Sequence, residues 1–269
     1  MGWQSNELST ARLDAELLLA NVLGKSRSYL YAWPEQKLSD LQQSAFLHQV
    51  ELRANGMPVA YLLGCREFWS LRLEVTPDVL IPRPETECLV AAVLERFGQE
   101  EVAVLDAGTG SGAIALAIAS ERRNWRVFAC DASVPALKVA EGNARHHGLP
   151  VHLFVGDWLS GVAPASLDII VSNPPYIAEG DPHLGSLAHE PASALVAGSD
   201  GLRDIGTLLE QAPLLLKRGG MLFIEHGYDQ GESVRALFLA HGFSGVITGR
   251  DLSNNERFTC GVLGVSSDE

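Results

Sequence analysis

Ser172-Asn173-Pro174-Pro175-Tyr176 is the most specific grouping of polar and rigid residues in the chain. Two adjacent prolines lack backbone N–H groups and hold a stiff, extended turn. Pro174 also biases Asn173 away from helical geometry. In such a turn the Asn173 side-chain carbonyl and a proline backbone carbonyl can converge on one spot. Two acceptors on one spot suit a planar –NH2 group, and Tyr176 supplies a wall for a planar substrate. An amide nitrogen is a poor nucleophile because its lone pair is delocalised into the carbonyl. Fixed acceptors hold its N–H bonds so that the lone pair faces an electrophile, and they stabilise the charge that develops on nitrogen. No strong base is needed in advance, since the nitrogen becomes acidic as it is alkylated. Asn173 and Pro174 are therefore the candidate catalytic residues. Asn173, Pro174, Pro175 and Tyr176 are the candidate substrate-binding residues. An Asn-Pro turn alone is common. Its weight here comes from its place after a fourth strand and downstream of a nucleoside site. The eight histidines, including His146-His147, are expected to be surface or structural residues.

That upstream site begins at Asp106-Ala107-Gly108-Thr109-Gly110-Ser111-Gly112, between a predicted strand and a predicted helix. Glycines allow a tight turn and close approach of backbone to a ligand. Open α/β folds bind cofactors at this end of the sheet. A dinucleotide fold also has glycines here, but the G-x-G-x-G spacing behind an acidic strand end leans away from it. Asp131 ends the second strand, placed to accept hydrogen bonds from ribose hydroxyls. Asp157, after the third, can accept from an adenine amino group, and Trp158 offers a flat face to a purine. Singly, Asp131 reads as a turn or cap residue and Trp158 as core. At three successive strand ends they outline a nucleoside. Gly108, Thr109, Gly110, Ser111, Gly112, Asp131, Asp157 and Trp158 are the candidate cofactor residues, joined by Asn173.

The elements that must position these residues show in the periodicity. Strands are predicted at 102–105, 127–130, 152–155, 168–171 and 221–225, followed by GVIT and FTCGVL, with helices between most of them. Such alternation predicts a parallel-rich sheet covered by helices on both faces, and the last two strands fit a terminal antiparallel hairpin. The first seventy residues read as helical. Leu13, Leu17, Leu18 and Val22 recur at helical spacing before Gly24. Ser39 and Gln42 form a capping-box pattern that opens a second helix, with an apolar stripe of Leu41, Ala45, Phe46 and Leu52. Residues 66 to 82 suggest a β-hairpin joining two domains. The expected organisation is a helical domain over 1–70, a hairpin linker over 71–84 and an α/β domain over 85–269.

With 269 residues, 46% hydrophobic and 20% charged, the chain has ample material for a core. A net charge of −13 repels phosphates and argues against tight non-specific DNA binding. Cys65, Cys88, Cys130 and Cys260 form no C-x-x-C pair, so reduced and mostly buried thiols are expected, with no metal. No secretory signal or membrane span is visible, so a cytoplasmic location is expected.

The glycine loop together with Asn173 to Tyr176 resembles class I methyltransferases that act on nitrogen, a set that includes DNA adenine methyltransferases. Further segments resemble the release factor glutamine methyltransferase family (PrmC/HemK). These are Ala60 to Gly64, Arg66 to Trp69, Ile81-Pro82-Arg83-Pro84-Glu85-Thr86-Glu87, Glu190-Pro191 with Ala194-Leu195, Asp200 to Leu202 and Asn255 to Arg257. The resemblance implies a Rossmann-like domain with a seven-stranded mixed sheet behind a helical N-terminal domain. It implies S-adenosyl-L-methionine as methyl donor, with S-adenosyl-L-homocysteine as product. The implied reaction is N5-methylation of the glutamine in the Gly-Gly-Gln motif of peptide chain release factors. The expected partner is that protein substrate, met by a monomer, with neither nucleic acid nor membrane bound. Arg83 and Glu85 belong to the resemblance without a separate physical role. An adenine-N6 nucleic-acid methyltransferase uses the same Asn-Pro-Pro-Tyr logic, but no basic groove or target-recognition region is visible. A non-enzymatic cofactor-binding scaffold would be expected to break the loop or lose Asn173, and both are intact.

Overall fold

The computed structural model describes residues 4–98 and 100–264. Contacts divide the chain into two compact units, Met1–Cys65 and Arg66–Glu269. The first unit holds helices α1 (Gln4–Leu23), α2 (Arg27–Ala32), α3 (Asp40–Ala54) and α4 (Val59–Leu63). The Ser39–Gln42 capping box is formed in full. The apolar stripe expected on α3 is only partly the inward one: Leu41 is 84% exposed and Ala45 is exposed as well. Phe46 and Leu52 of that stripe are half-buried, together with Gln42, Gln49, Val50 and Arg53; Phe46, Val50 and Arg53, spaced by four and three, share one helical face. Arg53 on that face donates from Nε to Asp14 of α1 at 2.8 Å, a polar anchor that a search for apolar spacing passes over. The short α2 and α4 were not anticipated either.

Strands β1 (Cys65–Phe68) and β2 (Leu71–Glu74) form a hairpin that begins earlier than the linker expected over 71–84. Trp69 and Ser70 at its turn both have positive φ, the backbone twist that two-residue hairpin loops require. The division at Cys65 lies before residue 70, so most of this hairpin groups with the second unit.

The rest of that unit is built on β3 (Ala103–Ala107), β4 (Arg126–Asp131), β5 (Val151–Val155), β6 (Leu167–Ser172), β7 (Leu216–Glu225), β8 (Phe243–Arg250) and β9 (Glu256–Leu263). They form one seven-stranded sheet in the order β5-β4-β3-β6-β7-β9-β8. Five strands run parallel, and β9 pairs antiparallel with both β7 and β8. The mixed seven-stranded sheet expected from the sequence is therefore present. The helices are α5 (Glu87–Arg96), α6 (Ala113–Glu121), α7 (Val134–His147), α8 (Arg203–Leu215) and α9 (Gly231–Ala240).

Side chains alternate across the sheet with period two. Val104, Ile169, Val171 and Phe223 pack with α5 and α6 in one core. Leu105, Ile170, Leu222 and Ile224 pack with α8 and α9 in the other. Burial on both faces explains why these strands read as unbroken apolar runs. The chain leaves β3 toward β4 on one side, while β6 returns on the other. The carboxyl ends of β3 and β6 thus flank the switch point where open α/β sheets bind ligands. The glycine loop follows β3, and Asn173 follows β6 directly.

Candidate active site

Asp106 on β3 is 1% exposed and organises the loop that follows it. Its Oδ2 accepts from the Thr109 hydroxyl at 2.6 Å and from the Ala115 N–H at 3.1 Å. Burial, reinforced by Asp131, pushes this carboxyl up to about 7, against those two hydrogen bonds. Gly108 has a φ of 74°, and a Cβ there would lie 3.2 Å from the Trp158 ring. Only glycine fits both constraints. Trp158 itself has a φ of 50°, a strained value for a bulky residue. The Cys130 thiol holds its carbonyl at 3.0 Å. The indole is thereby fixed against the glycine loop.

Asp131 at the end of β4 uses both carboxylate oxygens on backbone. Oδ2 accepts from the Gly110 N–H at 2.9 Å and Oδ1 from the Ser133 N–H at 2.8 Å. Each oxygen keeps a second lone pair, so hydroxyl donors can still be received. Asn143 on α7, 2% exposed, joins three backbone groups. Its Oδ1 accepts from the Glu74 N–H at 2.7 Å, and its Nδ2 donates to the Glu74 and Ser111 carbonyls at 3.0 and 2.9 Å. The hairpin is thus tied to the glycine loop through one amide.

These residues enclose a cavity of about 330 Å3. Gly108, Thr109, Gly110, Ser111, Asp131, Asp157, Trp158, Asn173 and Pro175 all line it. Gly112 does not; it precedes α6, and a Cβ there would press on Leu116 and Ala140. Pro174 is buried and lines neither this cavity nor the next. A second cavity of about 220 Å3 shares Leu80, Arg83, Asn173 and Ala194 with the first. Tyr176, Ile177, Leu187 and Leu195 complete its walls.

Sequence reasoning missed what holds this junction together. Glu190, 7% exposed, accepts from the Ile81 N–H at 3.1 Å and pairs with the Arg83 guanidinium. It clamps the Ile81–Arg83 segment across a hundred residues of sequence. Glu225 at the end of β7 is 1% exposed, and burial pushes it up to about 7. The Tyr176 hydroxyl reaches its Oε1 at 3.5 Å. The Asn173 Nδ2 donates to the Thr86 hydroxyl at 3.3 Å. Only Arg83, set between two prolines, carried a local signal. His226, fully buried, bonds the Gly227 carbonyl and the Thr259 hydroxyl. Cys130 and Cys260 are buried, Cys65 and Cys88 half-buried, and all four are free.

The cradle fits a nucleoside: a glycine edge closed by an indole, carboxylates at the ends of neighbouring strands, and an open side toward Asn173. Sheet order and site together define a class I methyltransferase domain. Three solved structures share this fold. The hMettl16 catalytic domain aligns with a TM-score of 0.61 at 16% identity, covering 78% of this chain and 82% of that one. A methyltransferase from Pyrococcus furiosus aligns at 0.55 and 21% identity, covering 72% and 90%. The T. thermophilus rRNA methyltransferase RsmC, in complex with AdoMet and guanosine, aligns at 0.56 and 19%, covering 74% and 50%.

The PrmC N-terminal domain model matches residues 4–64, and the methyltransferase small domain model matches residues 85–198. The release factor glutamine methyltransferase of Pseudomonas aeruginosa is 51% identical over 255 residues, 94% of this chain and 92% of the relative. That of Coxiella burnetii is 49% identical over 250 residues, 92% and 90%. That of Escherichia coli K12 is 46% identical over 253 residues, 93% and 91%. The chain belongs to the release factor glutamine methyltransferase family.

Proposed function

We propose that this enzyme methylates the side-chain amide nitrogen (N5) of the glutamine in the Gly-Gly-Gln motif of peptide chain release factors. S-adenosyl-L-methionine is the donor, and no metal takes part. The observation that carries the reading is the shared wall of the two cavities. Asn173 and Arg83 border both, so a donor in the larger and an acceptor in the smaller meet at Asn173.

When bound, the cofactor would supply a sulfonium methyl: the S–C bond breaks as the N–C bond forms, and the alkylated, now acidic nitrogen gives its proton to water as the product leaves the slot. The glycine loop and Asp131 bind the sugar end of the donor, with Asp157 and Trp158 on the base. Asn173 and the Pro174 carbonyl accept the two N–H bonds of the amide and orient its lone pair. Tyr176, Ile177 and Leu195 wall the acceptor slot and exclude water, which strengthens those hydrogen bonds. A glutamine on an exposed loop can enter without base flipping, which a duplex adenine would require. Residues 1–70 act as a docking domain for the protein substrate. The enzyme works as a monomer in the cytoplasm, without binding nucleic acid.

The test is transfer of labelled methyl to a purified release factor, its Gln→Ala variant in the Gly-Gly-Gln loop, and duplex DNA. Label on the intact factor alone is the expected result, and label on DNA overturns it. Asn173→Ala is expected to leave cofactor binding largely intact and lose most turnover, on the order of a hundredfold. Turnover near the unmodified rate would remove Asn173 from the mechanism.

A further inference from the structure

Glu225 ends β7 beside the strand that delivers Asn173, since Ser172 is in register with Ile224. Three buried or half-buried side chains meet there. The Asn173 Nδ2 donates to the Thr86 hydroxyl at 3.3 Å. Thr86, 3% exposed, is near enough to lower the Glu225 pKa but makes no hydrogen bond to the carboxyl before substrate binds. The Tyr176 hydroxyl reaches Glu225 Oε1 at 3.5 Å, while Oε2 has no hydrogen-bond partner among the described residues. Catalytic hydrogen bonds are often long before substrate binds and tighten afterwards.

An asparagine amide has nearly the same shape either way round, so sterics do not decide which end faces the acceptor. The chemistry differs completely. An Oδ1 in the slot accepts an N–H of the acceptor, whereas an Nδ2 in the slot sets donor against donor. The Thr86 hydroxyl has one hydrogen to give. If it goes to Glu225, only lone pairs remain toward Asn173. Nδ2 must then face Thr86, leaving Oδ1 for the cavities that Asn173 borders. An ionised carboxylate only accepts, so it takes that hydrogen once the contact tightens on substrate binding. A protonated Glu225 can instead donate to Thr86, which releases the threonine hydrogen for Oδ1 and favours the opposite orientation.

We infer that Glu225 is a positioning residue that fixes, through Thr86, which end of the Asn173 amide meets the acceptor nitrogen. The inference rests on the reading of Asn173 given above. Burial places the Glu225 titration at about 7, where Thr86, Arg257 and Tyr176 lower it and Glu85 raises it. The Cys88 thiol feels the same carboxylate. Burial also pushes the Tyr176 hydroxyl up, so it stays a donor to Glu225 throughout the neutral range. Competence for transfer therefore rises as Glu225 loses its proton.

The experiment measures kcat and KM across about pH 6 to 9, with a purified bacterial release factor and S-adenosylmethionine. The unmodified enzyme is expected to rise through about 7 to a plateau. Glu225→Gln, whose amide can donate to Thr86, is expected to lose the inflection and about tenfold of the plateau kcat, one misdirected hydrogen bond. KM and S-adenosylhomocysteine binding should hold within about twofold. Thr86→Val should behave alike, the double variant should lose no more than the worse single one, and Thr86→Ser should recover most of the loss. The threonine pair carries the test if Glu225→Gln fails to fold. A Glu225→Gln enzyme that keeps inflection and plateau overturns the inference, as does a kcat loss matched by lost cofactor affinity. Asn173→Ala, assayed alongside, separates the two levels. If it is inactive while Glu225→Gln is normal, only the inference fails; if it turns over normally, the underlying reading of the site fails.

Discussion

Asn143 makes three hydrogen bonds to backbone from a position 2% exposed to solvent. Replacing it with alanine removes all three and leaves the Glu74 N–H and the Glu74 and Ser111 carbonyls without these partners. At about 1 kcal/mol net for each bond, Asn143→Ala is expected to cost about 3 kcal/mol. For a unit of this size that corresponds to a drop of roughly 6–12 °C in Tm. The effect should not stop at stability. Ser111 lies in the glycine loop and lines the larger cavity. A loop released from α7 must be ordered again when cofactor binds, so affinity for S-adenosylhomocysteine should fall on the order of tenfold. The assay is urea unfolding with the m-value checked for constancy, paired with calorimetric titration. Asn143→Asp sharpens the logic, since it keeps the shape but turns the Nδ2 donor into an acceptor facing two carbonyls. It should be no better than alanine. A loss below about 1 kcal/mol for alanine, or a well-tolerated aspartate, would refute the hydrogen-bond account.

Asp106 gives a pH dependence of defined sign. Its folded pKa of about 7 lies above the ordinary value of 3.8. Between those values the unfolded chain has released this proton and the folded one retains it, so unfolding free energy falls as pH rises. Asp106→Asn should remove a slope of up to about 1.4 kcal/mol per pH unit in that window, read from denaturant melts; an unchanged slope would contradict it. Glu190→Ala leaves the Ile81 N–H and Arg83 without their carboxylate. Arg83 is partly exposed, so a destabilisation of about 2 kcal/mol is expected, below the value for a fully buried pair, and KM for the release factor should rise more than kcat falls. Asp131→Ala frees the Gly110 and Ser133 N–H groups and should weaken cofactor binding, while unchanged affinity would place the ribose contact elsewhere.

The strands, the glycine loop and the Asn-Pro-Pro-Tyr turn were readable because their causes are local. Strands buried on both faces must be apolar throughout, and a turn of two prolines constrains itself. The roles of Asn143, Glu190 and Glu225 were not readable, and for one reason. Asn143 meets its partners 69 and 32 residues away, and Glu190 meets Ile81 and Arg83 at 109 and 107. An asparagine in mid-helix or a glutamate in a loop carries no mark of a partner so distant. The same distance hid the role of Arg53 on α3, which is held by Asp14 39 residues away, while Leu41, given an inward place by apolar spacing, is exposed.

This split follows the division of labour in the site. The residues expected to touch ligand lie on short loops at strand ends, where sequence motifs form. Their orientation comes from polar side chains carried by other elements, and those select one arrangement among several of equal shape. The Asn173 amide shows the consequence most sharply. Its identity is plain in the sequence, but the end it presents to the acceptor depends on one hydrogen of Thr86, and that hydrogen on the ionisation of a carboxyl carried by the neighbouring strand. A motif search would therefore score Glu225→Gln as harmless, since every ligand-contacting residue is kept, whereas the hydrogen-bond account expects a slower enzyme with normal cofactor affinity.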